Sequence, residues 1–534
     1  MKTSVLTALH AHALEQPDAP ALRGLTENGE TRVVSYASLL QQVDALSNWL
    51  QQQQVPLVGL WGENEIEWVI ADLAAWQAGI PVIPLARFFS PAQLAFVADS
   101  SGLRHLLTCG AISEGLPTQG RLASPLPAIY LDHLSSELPS APIAIAAGTC
   151  KITFTSGTTG EPKGVCLSSA TLDAVTLALA ERIHESECGD DALDAHFCLL
   201  PLSTLLENVA GIYVPILLGK TAIVLPGPVI GLLGSSQLDL PLLLRTLHQH
   251  QPNSLIVLPQ ILSGMVTAAA NGLPTPASLR FVAVGGATTS PALLAQAHHV
   301  GIPVFEGYGL SECASVVSLN SPRANRVGSV GRVLRHLRVR VVDGVIQVAG
   351  NAFSGYLGQP AGDSPSSWID TGDIGHIDEQ GFLHITGRKK NLLISSFGRN
   401  ISPEWLEAEL SLCAAIAQVM VIGDAQPFCA AVLVPRSPST GFDELADQIA
   451  GVNAALPDYA RIRRFIVASE PFSLADGSVT DNGRLRRDVI ATRYADAITA
   501  LFSSAFQSTD RCADRIANPT THQSIESGAL HAIF

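Results

Sequence analysis

Apolar residues recur at helical spacing over residues 3–15 and 36–54, and again from Glu65 to Ala78 along one face of an amphipathic segment. Between them stand short apolar runs, Pro56-Leu-Val-Gly-Leu-Trp61 and Gly79-Ile-Pro-Val-Ile-Pro-Leu85, with the length and character of buried strands. A helix begins at Pro91. Residues 112–147, rich in Pro, Ser and Ala, read as a loose connection. The alternation then resumes. Helical stretches are expected over 171–184, Leu205–Leu218 and 239–250, with strands at Ile152–Phe154, Ala195–Leu200, Ala222–Leu225 and Ser254–Leu258. Phe281–Ala287 and Pro303–Gly309 are two more strands, each ending in a glycine-bearing turn. Such alternation predicts a parallel sheet with helices on both faces, and ligands in such sheets bind beyond the carboxyl ends of the strands.

From about Val327 the pattern changes to short strands separated by glycine turns, Arg338-Val-Arg-Val-Val342 and Val345-Ile-Gln-Val-Ala349, which predicts a small β subdomain. Beyond Arg388 a further α/β unit contains strands Ala417–Ile422 and Ala430–Val434 and a helical stretch over 485–502. Residues 507–534 show no periodicity and read as a poorly ordered tail. The fold class is therefore α/β, with a large N-terminal domain over 1–387, built of doubly wound subdomains and the β subdomain, and a small α+β C-terminal domain over 388–506.

Composition narrows the functional classes. At 534 residues the chain exceeds one ordinary core, and 47% hydrophobic residues suffice to fill several. A net charge of -15 without a basic run argues against nucleic acid as partner. The nine cysteines are scattered and lack C-x-x-C spacing, so neither a disulfide framework nor a zinc site is indicated, and a reducing, cytoplasmic setting fits. The N-terminus lacks a signal-peptide pattern, and no apolar run approaches the ~20 residues of a membrane span. A mean hydropathy of +0.28 leaves room for peripheral membrane contact at most.

The chemistry concentrates in three strings. The first is Thr155-Ser156-Gly157-Thr158-Thr159-Gly160-Glu-Pro-Lys163-Gly164, placed after a strand. Glycines tolerate the positive φ angles that aim several N–H groups at one point, a nest suited to phosphate oxygens, and Lys163 adds charge. Pro162 rules out a Walker A loop. Taken alone, the string also fits a surface turn between strands. The second is Glu306-Gly307-Tyr308-Gly309-Leu-Ser311-Glu312: a tyrosine between glycines can lie against a nucleobase, Ser311 can donate to phosphate, and Glu312 offers a hard oxygen ligand to Mg²⁺. The third is Trp368-Ile-Asp-Thr-Gly-Asp373, followed by Gly387-Arg388-Lys-Lys390-Asn. Asp373 can accept from both hydroxyls of a ribose, and Arg388 can pair with it or with the same sugar and phosphate.

These strings, in this order, resemble those of the adenylate-forming enzymes, the superfamily of acyl-CoA synthetases, luciferases and nonribosomal-peptide adenylation domains. The resemblance spans roughly residues 10–495. It is nearest to the bacterial long-chain fatty acyl-CoA synthetases, on Gly-Arg-Lys-Lys-Asn-Leu-Leu-Ile394, Asn400-Ile-Ser-Pro-Glu404 and Arg484-Leu-Arg-Arg487. It implies that Gly285-Gly286-Ala287 and Tyr308 border adenine, Asp373 holds ribose, Glu312 binds magnesium, and Arg388 closes the site. It further implies that a mobile C-terminal domain turns about Lys390, and that Ser395–Glu404 then joins the thiol-transfer site. The implied reaction activates a fatty acid with ATP and Mg²⁺ to acyl-AMP, releasing pyrophosphate, then transfers the acyl group to the thiol of CoA. An acyl carrier protein is the alternative acceptor. The aspartate of the amino-acid-activating relatives is missing near Leu200–Glu207, which leaves an uncharged tail pocket with space set by Ala210 and Gly211.

Two positions depart from the family pattern. Where the family places a lysine bridging the substrate carboxylate and the α-phosphate, this chain has Arg484, and no lysine follows Lys390. Arginine keeps the charge but exchanges a compact ammonium for a planar fork. The catalytic set expected here is Lys163, Glu312 and Arg484, and a nucleotide-binding homologue with impaired adenylation is the alternative. Thr204 stands where the fatty-acid group has histidine, beside the acyl pocket.

Overall fold

In the computed structural model the described residues are 4–26, 28–87, 89–109, 118–134, 143–155, 163–184, 194–233, 237–359, 368–480, 484–503, 514–515 and 529–532. Two large sheets dominate. In the first, the strand order runs from Arg332–Val333 through Ser318–Leu319, Val304–Tyr308, Phe281–Val284, Ser254–Val257, Ala195–Cys198 and Thr221–Val224 to Pro20–Leu25 and Thr31–Ser35. Its six central strands are parallel, and antiparallel strands close both edges. The order reverses between Ala195–Cys198 and Ser254–Val257, so a crevice opens at the carboxyl ends on that side.

The second sheet places Val58–Trp61 and Val82–Leu85 in parallel register, with Thr149–Thr155 and Lys163–Ser168 beside them. Helices Tyr36–Gln53, Ile66–Ala78 and Ser169–His184 pack with both sheets into one continuous core. Trp68 and Tyr36 are fully buried there, as expected of strands and helices covered on both faces. Ser35 and Ser90 cap their helices through side-chain oxygens, and Pro91 occupies the first helical turn.

A four-stranded antiparallel sheet, with order Leu337–Val342, Val345–Gly350, Ile369–Ile377, Leu383–Arg388, forms the β subdomain. The C-terminal unit is built on Ile416–Ile422, Cys429–Pro435 and Ile462–Val467, flanked by helices Pro403–Leu410 and Phe442–Ala455.

Several expectations change in detail. Residues 112–147 contain two antiparallel strands, Thr118–Ala123 and Ile129–Leu134, which extend the second sheet beyond His105–Cys109. The apolar stretch Leu205–Leu218 is not one α-helix: a π-turn, Asn208–Tyr213, interrupts it. In an α-helix residues five apart diverge by about 140°, whereas the wider turn of i→i+5 bonding brings them closer to one face. Asn208 and Tyr213 thereby reach the same buried pair, Lys151 and Asp72. The 485–502 stretch resolves into Arg487–Arg493 and Ala495–Phe502. Within 507–534, Ala529–Ala532 pairs with Ile462–Val467. No described helix is long and apolar enough to cross a membrane.

Candidate active site

A cleft of about 3030 Å³ runs between the first large sheet, the β subdomain and the C-terminal unit. The strand Val304–Tyr308 ends at its mouth. Tyr308 Oη donates to Asp373 Oδ2 at 2.5 Å, and Arg388 Nε lies 2.8 Å from Asp373 Oδ1. Asp373 and Arg388 face each other across adjacent antiparallel strands, so the pair is set by register rather than by a flexible loop. Asp373 is only 3% exposed, and burial followed by the Asp373 charge raises the Tyr308 pKa.

Glycine is required here by close approach. A Cβ on Gly309 would stand 1.5 Å from the Ser315 carbonyl oxygen, and one on Gly307 would stand 3.0 Å from Leu319 Cδ1. Gly285 faces the Gly307 carbonyl, and Gly286 has φ +83°, a left-handed turn suited to glycine. Ser311 and Glu312 occupy a short 3-10 turn, and Gly285, Gly286, Ala287, Ser311 and Glu312 all line the cleft.

Glu312 Oε1 accepts from Tyr356 Oη at 2.9 Å, and Lys163 Nζ lies 5.4 Å from the same tyrosine ring centroid. Lys163 and Glu312 thus share one aromatic neighbour. Among the described residues Glu312 Oε2 has no hydrogen-bond partner, which leaves an oxygen for a cation. Thr155 and Lys163 are register partners across an antiparallel pair of strands. Ser156, Gly157, Thr158, Thr159 and Gly160 lie outside the described residues.

From the C-terminal unit, Arg484 Nη2 donates to the Gly286 carbonyl oxygen at 3.2 Å. The contact joins residues 198 apart in sequence. Ser290 Oγ donates to Glu409 Oε1 at 3.1 Å and forms a second link. Arg484 keeps an exposed face, while its surroundings and the like charge of Arg388 lower its pKa.

Deeper in the cleft the walls are Leu179, Leu206, Ala210, Ile256, Phe281 and Ala283. Ala210 faces this space as expected, but Gly211 serves a different purpose. A Cβ there would meet Glu207 Oε1 at 2.4 Å, so Gly211 makes room for a buried polar pair. That pair escaped sequence reasoning: His196 Nε2 lies 3.0 Å from Glu207 Oε1, His196 Nδ1 lies 2.9 Å from Ser254 Oγ, and Leu200 N donates to Glu207 Oε2 at 2.9 Å. His196, Cys198 and Glu207 offer donor atoms within 4.8 Å of one another. The two-residue alternation of His196 and Cys198 on one strand was the available signal. Thr204 lines the cleft, its hydroxyl donating to the Pro201 carbonyl at 2.6 Å.

Residues 9–355 match the AMP-binding enzyme family, and residues 390–505 match the AMP-binding enzyme C-terminal domain. The long-chain-fatty-acid–CoA ligase FadD15 of Mycobacterium bovis is 23% identical, over 94% of this chain and 97% of that protein. The 2-succinylbenzoate–CoA ligase of Enterococcus faecalis is 27% identical, over 78% of this chain and 85% of that protein. Among solved structures, the o-succinylbenzoate coenzyme A synthetase of Bacillus subtilis in complex with AMP has a TM-score of 0.69 at 22% identity, covering 90% of this chain and 97% of that one. The anthranilate CoA ligase AuaEII in complex with anthranoyl-AMP has a TM-score of 0.74 at 17% identity, covering 93% and 98%.

Proposed function

The chain belongs to the AMP-binding enzyme family of the adenylate-forming superfamily, and on that premise we propose that it activates a fatty acid with ATP and passes the acyl group to the thiol of CoA. The observation that carries this reading is the convergence of Tyr308, Asp373, Arg388 and Arg484 on one cleft that continues into an apolar pocket. The close-packed glycines 307 and 309 let backbone approach a planar base beside the Tyr308 ring. Asp373 holds the ribose hydroxyls in competition with its own two donors. Lys163 and the string Thr155–Gly160 hold the outer phosphates.

A carboxylate is a poor acyl donor because its oxygen leaves badly. Its attack on the α-phosphorus of ATP forms an oxygen–phosphorus bond, breaks the bond to the bridging oxygen and releases pyrophosphate. Acyl-AMP then carries a good leaving group. Mg²⁺ held at Glu312 supplies charge neutralisation to the phosphates. Arg484, anchored on the Gly286 carbonyl, brings the C-terminal unit onto the site for this half-reaction. We place the domain division at residue 388 and the swing that admits the thiol at Lys390, with 507–534 outside both domains.

A second substrate reading, a compact aromatic acid, is favoured by the polar wall of His196 and Ser254 and by the 2-succinylbenzoate ligases among the relatives. The test is a panel of acids from medium- and long-chain to aromatic, scored by acid-dependent pyrophosphate release and then by thioester mass with CoA or a phosphopantetheinylated carrier protein. Release with long acyl chains supports the reading. Release with aromatic acids alone replaces the substrate, and release with none overturns the activity.

A further inference from the structure

His196, Cys198, Glu207 and Gly211 bring four different donor atoms together from two elements. His196 and Cys198 stand two apart on the strand Ala195–Cys198, so their side chains leave the same face of the sheet. Glu207 ends the short helical turn Leu205–Glu207, and Gly211 lies in the π-turn that follows it. The carboxylate of Glu207 is fully buried, and no lysine or arginine among the described residues pairs with it. Its partners are one ring nitrogen, His196 Nε2 at 3.0 Å, and one amide, Leu200 N at 2.9 Å. Burial raises its pKa, an effect that these two contacts only partly offset. A carboxylate so enclosed is ordinarily matched by a full positive charge or a metal ion.

Cys198 is equally enclosed, and its Sγ lies 3.6 Å from the Gly211 carbonyl oxygen. In a regular helix that oxygen would accept from the residue four places on, which is Pro215 and has no N–H. The oxygen instead takes the Cys198 thiol as donor. Donor atoms of His196, Cys198 and Glu207 all lie within 4.8 Å of one another. Two further contacts orient them from behind: Ser254 Oγ holds the other ring nitrogen of His196 at 2.9 Å, and Leu200 N holds the second oxygen of Glu207. A Cβ at position 211 would stand 2.4 Å from Glu207 Oε1 and 3.0 Å from His196 Nε2, so the glycine keeps the space beside both donors clear.

We propose that His196, Cys198, Glu207 and the Gly211 carbonyl form a binding site for a single thiophilic divalent cation of the zinc class, separate from the magnesium position at Glu312. Zinc takes imidazole nitrogen, thiolate sulfur and carboxylate oxygen at roughly 2.0–2.3 Å, so ligands around it stand about 3.3–3.8 Å apart. Donors already within 4.8 Å of one another reach that spacing by small side-chain rotations. On binding, the Cys198 thiol gives its proton to solvent, and thiolate and carboxylate together neutralise the ion. The set lacks C-x-x-C spacing because a strand and the helical turns over it share the ligands, which is why the scattered cysteines carry no zinc signal in the sequence. The ion ties the π-turn, and with it Ala210, to the wall of the acyl pocket.

The site is independent of the acid that is activated, and binding is read without turnover. Full-length protein is stripped with a chelator and titrated with cobalt(II), whose thiolate charge-transfer absorption reports a cobalt–sulfur bond. Zinc retained after dialysis is counted by elemental analysis. Wild type is expected to hold a single zinc per chain, to show a cobalt–thiolate band that saturates at a single equivalent, and to melt at a higher temperature with zinc than with chelator. Cys198→Ser abolishes the band. Ser254→Ala loosens the His196 ring without removing a ligand and weakens cobalt binding about 10- to 100-fold, and Glu207→Gln weakens it further. Glu312→Gln leaves the band unchanged, which separates the two metal positions. Circular dichroism checks the fold of each variant, and Glu207→Gln and Ser254→Ala carry the comparison where Cys198→Ser does not fold. Folded wild type that takes up neither zinc nor cobalt overturns the proposal. So does a cobalt–thiolate band that survives Cys198→Ser, or one that Glu207→Gln and Ser254→Ala leave at wild-type affinity.

Discussion

Tyr308 Oη and Asp373 Oδ2 lie 2.5 Å apart, a contact between the end of a parallel strand in one sheet and an antiparallel strand in another. With Arg388 on the opposite oxygen, the carboxylate is fixed in rotation by two donors before any ribose hydroxyl reaches it. Asp373→Asn removes the charge while keeping the shape, and it leaves Arg388 without its counter-ion. ATP affinity and acid-dependent exchange are expected to fall about 10- to 100-fold, the range of a charge-assisted hydrogen bond. Tyr308→Phe keeps the ring and loses one donor, so a fall of no more than about fivefold is expected. Isothermal titration with ATP and with adenosine checks both, and equal effects of the two substitutions would count against ribose recognition by the carboxylate.

Much of this arrangement was legible in the chain because it depends on local chemistry. Glycines 307 and 309 are demanded by close backbone approach, and the strand feeding them is a short apolar run. The pairing of Asp373 with Arg388 was open to inference because both stand on strands of opposite direction with a short turn between. What stayed hidden is long-range. Nothing near Lys151 in sequence announces Asp72 or Tyr213, which converge on it through tertiary packing and a π-turn that periodicity cannot anticipate. Likewise no local pattern around Glu207 announces its contact with His196, which is itself held by Ser254 of the adjacent strand. The strands within 112–147 were hidden by the Pro and Ser residues around them, such as Ser124, Pro125 and Pro127 in the connection between the two, although neither strand contains either residue type.

Glu312 gives a metal-dependent prediction. One carboxylate oxygen is held by Tyr356, and the other has no described partner. Glu312→Gln preserves the Tyr356 contact but removes the anionic oxygen that Mg²⁺ prefers. The Mg²⁺ concentration for half-maximal exchange is expected to rise at least about tenfold, with nucleotide affinity in the absence of metal changed by less than about twofold. An unchanged Mg²⁺ curve would remove Glu312 from the metal site.

The core offers a prediction independent of catalysis. Lys151 is 1% exposed, its ammonium 2.7 Å from Asp72 Oδ1 and 2.7 Å from Tyr213 Oη, while Asn208 and Tyr213 donate to Asp72 Oδ2 at 3.0 and 2.6 Å. Lys151→Met leaves Asp72 charged and buried, which costs roughly 3–5 kcal/mol. The pair Lys151→Met with Asp72→Leu removes both charges together and is expected to recover much of that loss. Urea unfolding of the single and double variants checks this, and a double variant no more stable than Lys151→Met would show that the ion pair is not what the network supports.

Glu306 provides the pH test. It is 7% exposed on the strand that carries Tyr308, and burial pushes its pKa up to about 8, an effect that Thr289 only partly offsets. Below about pH 4.5, its ordinary value, the carboxyl is protonated in both folded and unfolded chains, and its contribution to stability is complete. As pH rises toward about 8 the unfolded chain releases the proton while the folded chain retains it, so stability drains across that window and levels off above it. Glu306→Gln cannot titrate. Its urea midpoint should therefore match wild type most closely near pH 5 and exceed it increasingly up to about pH 9, so the gap between the two proteins isolates Glu306 from every other titrating group. A gap that stays constant across that range would mean that Glu306 ionises in the folded protein as readily as it does in the open chain.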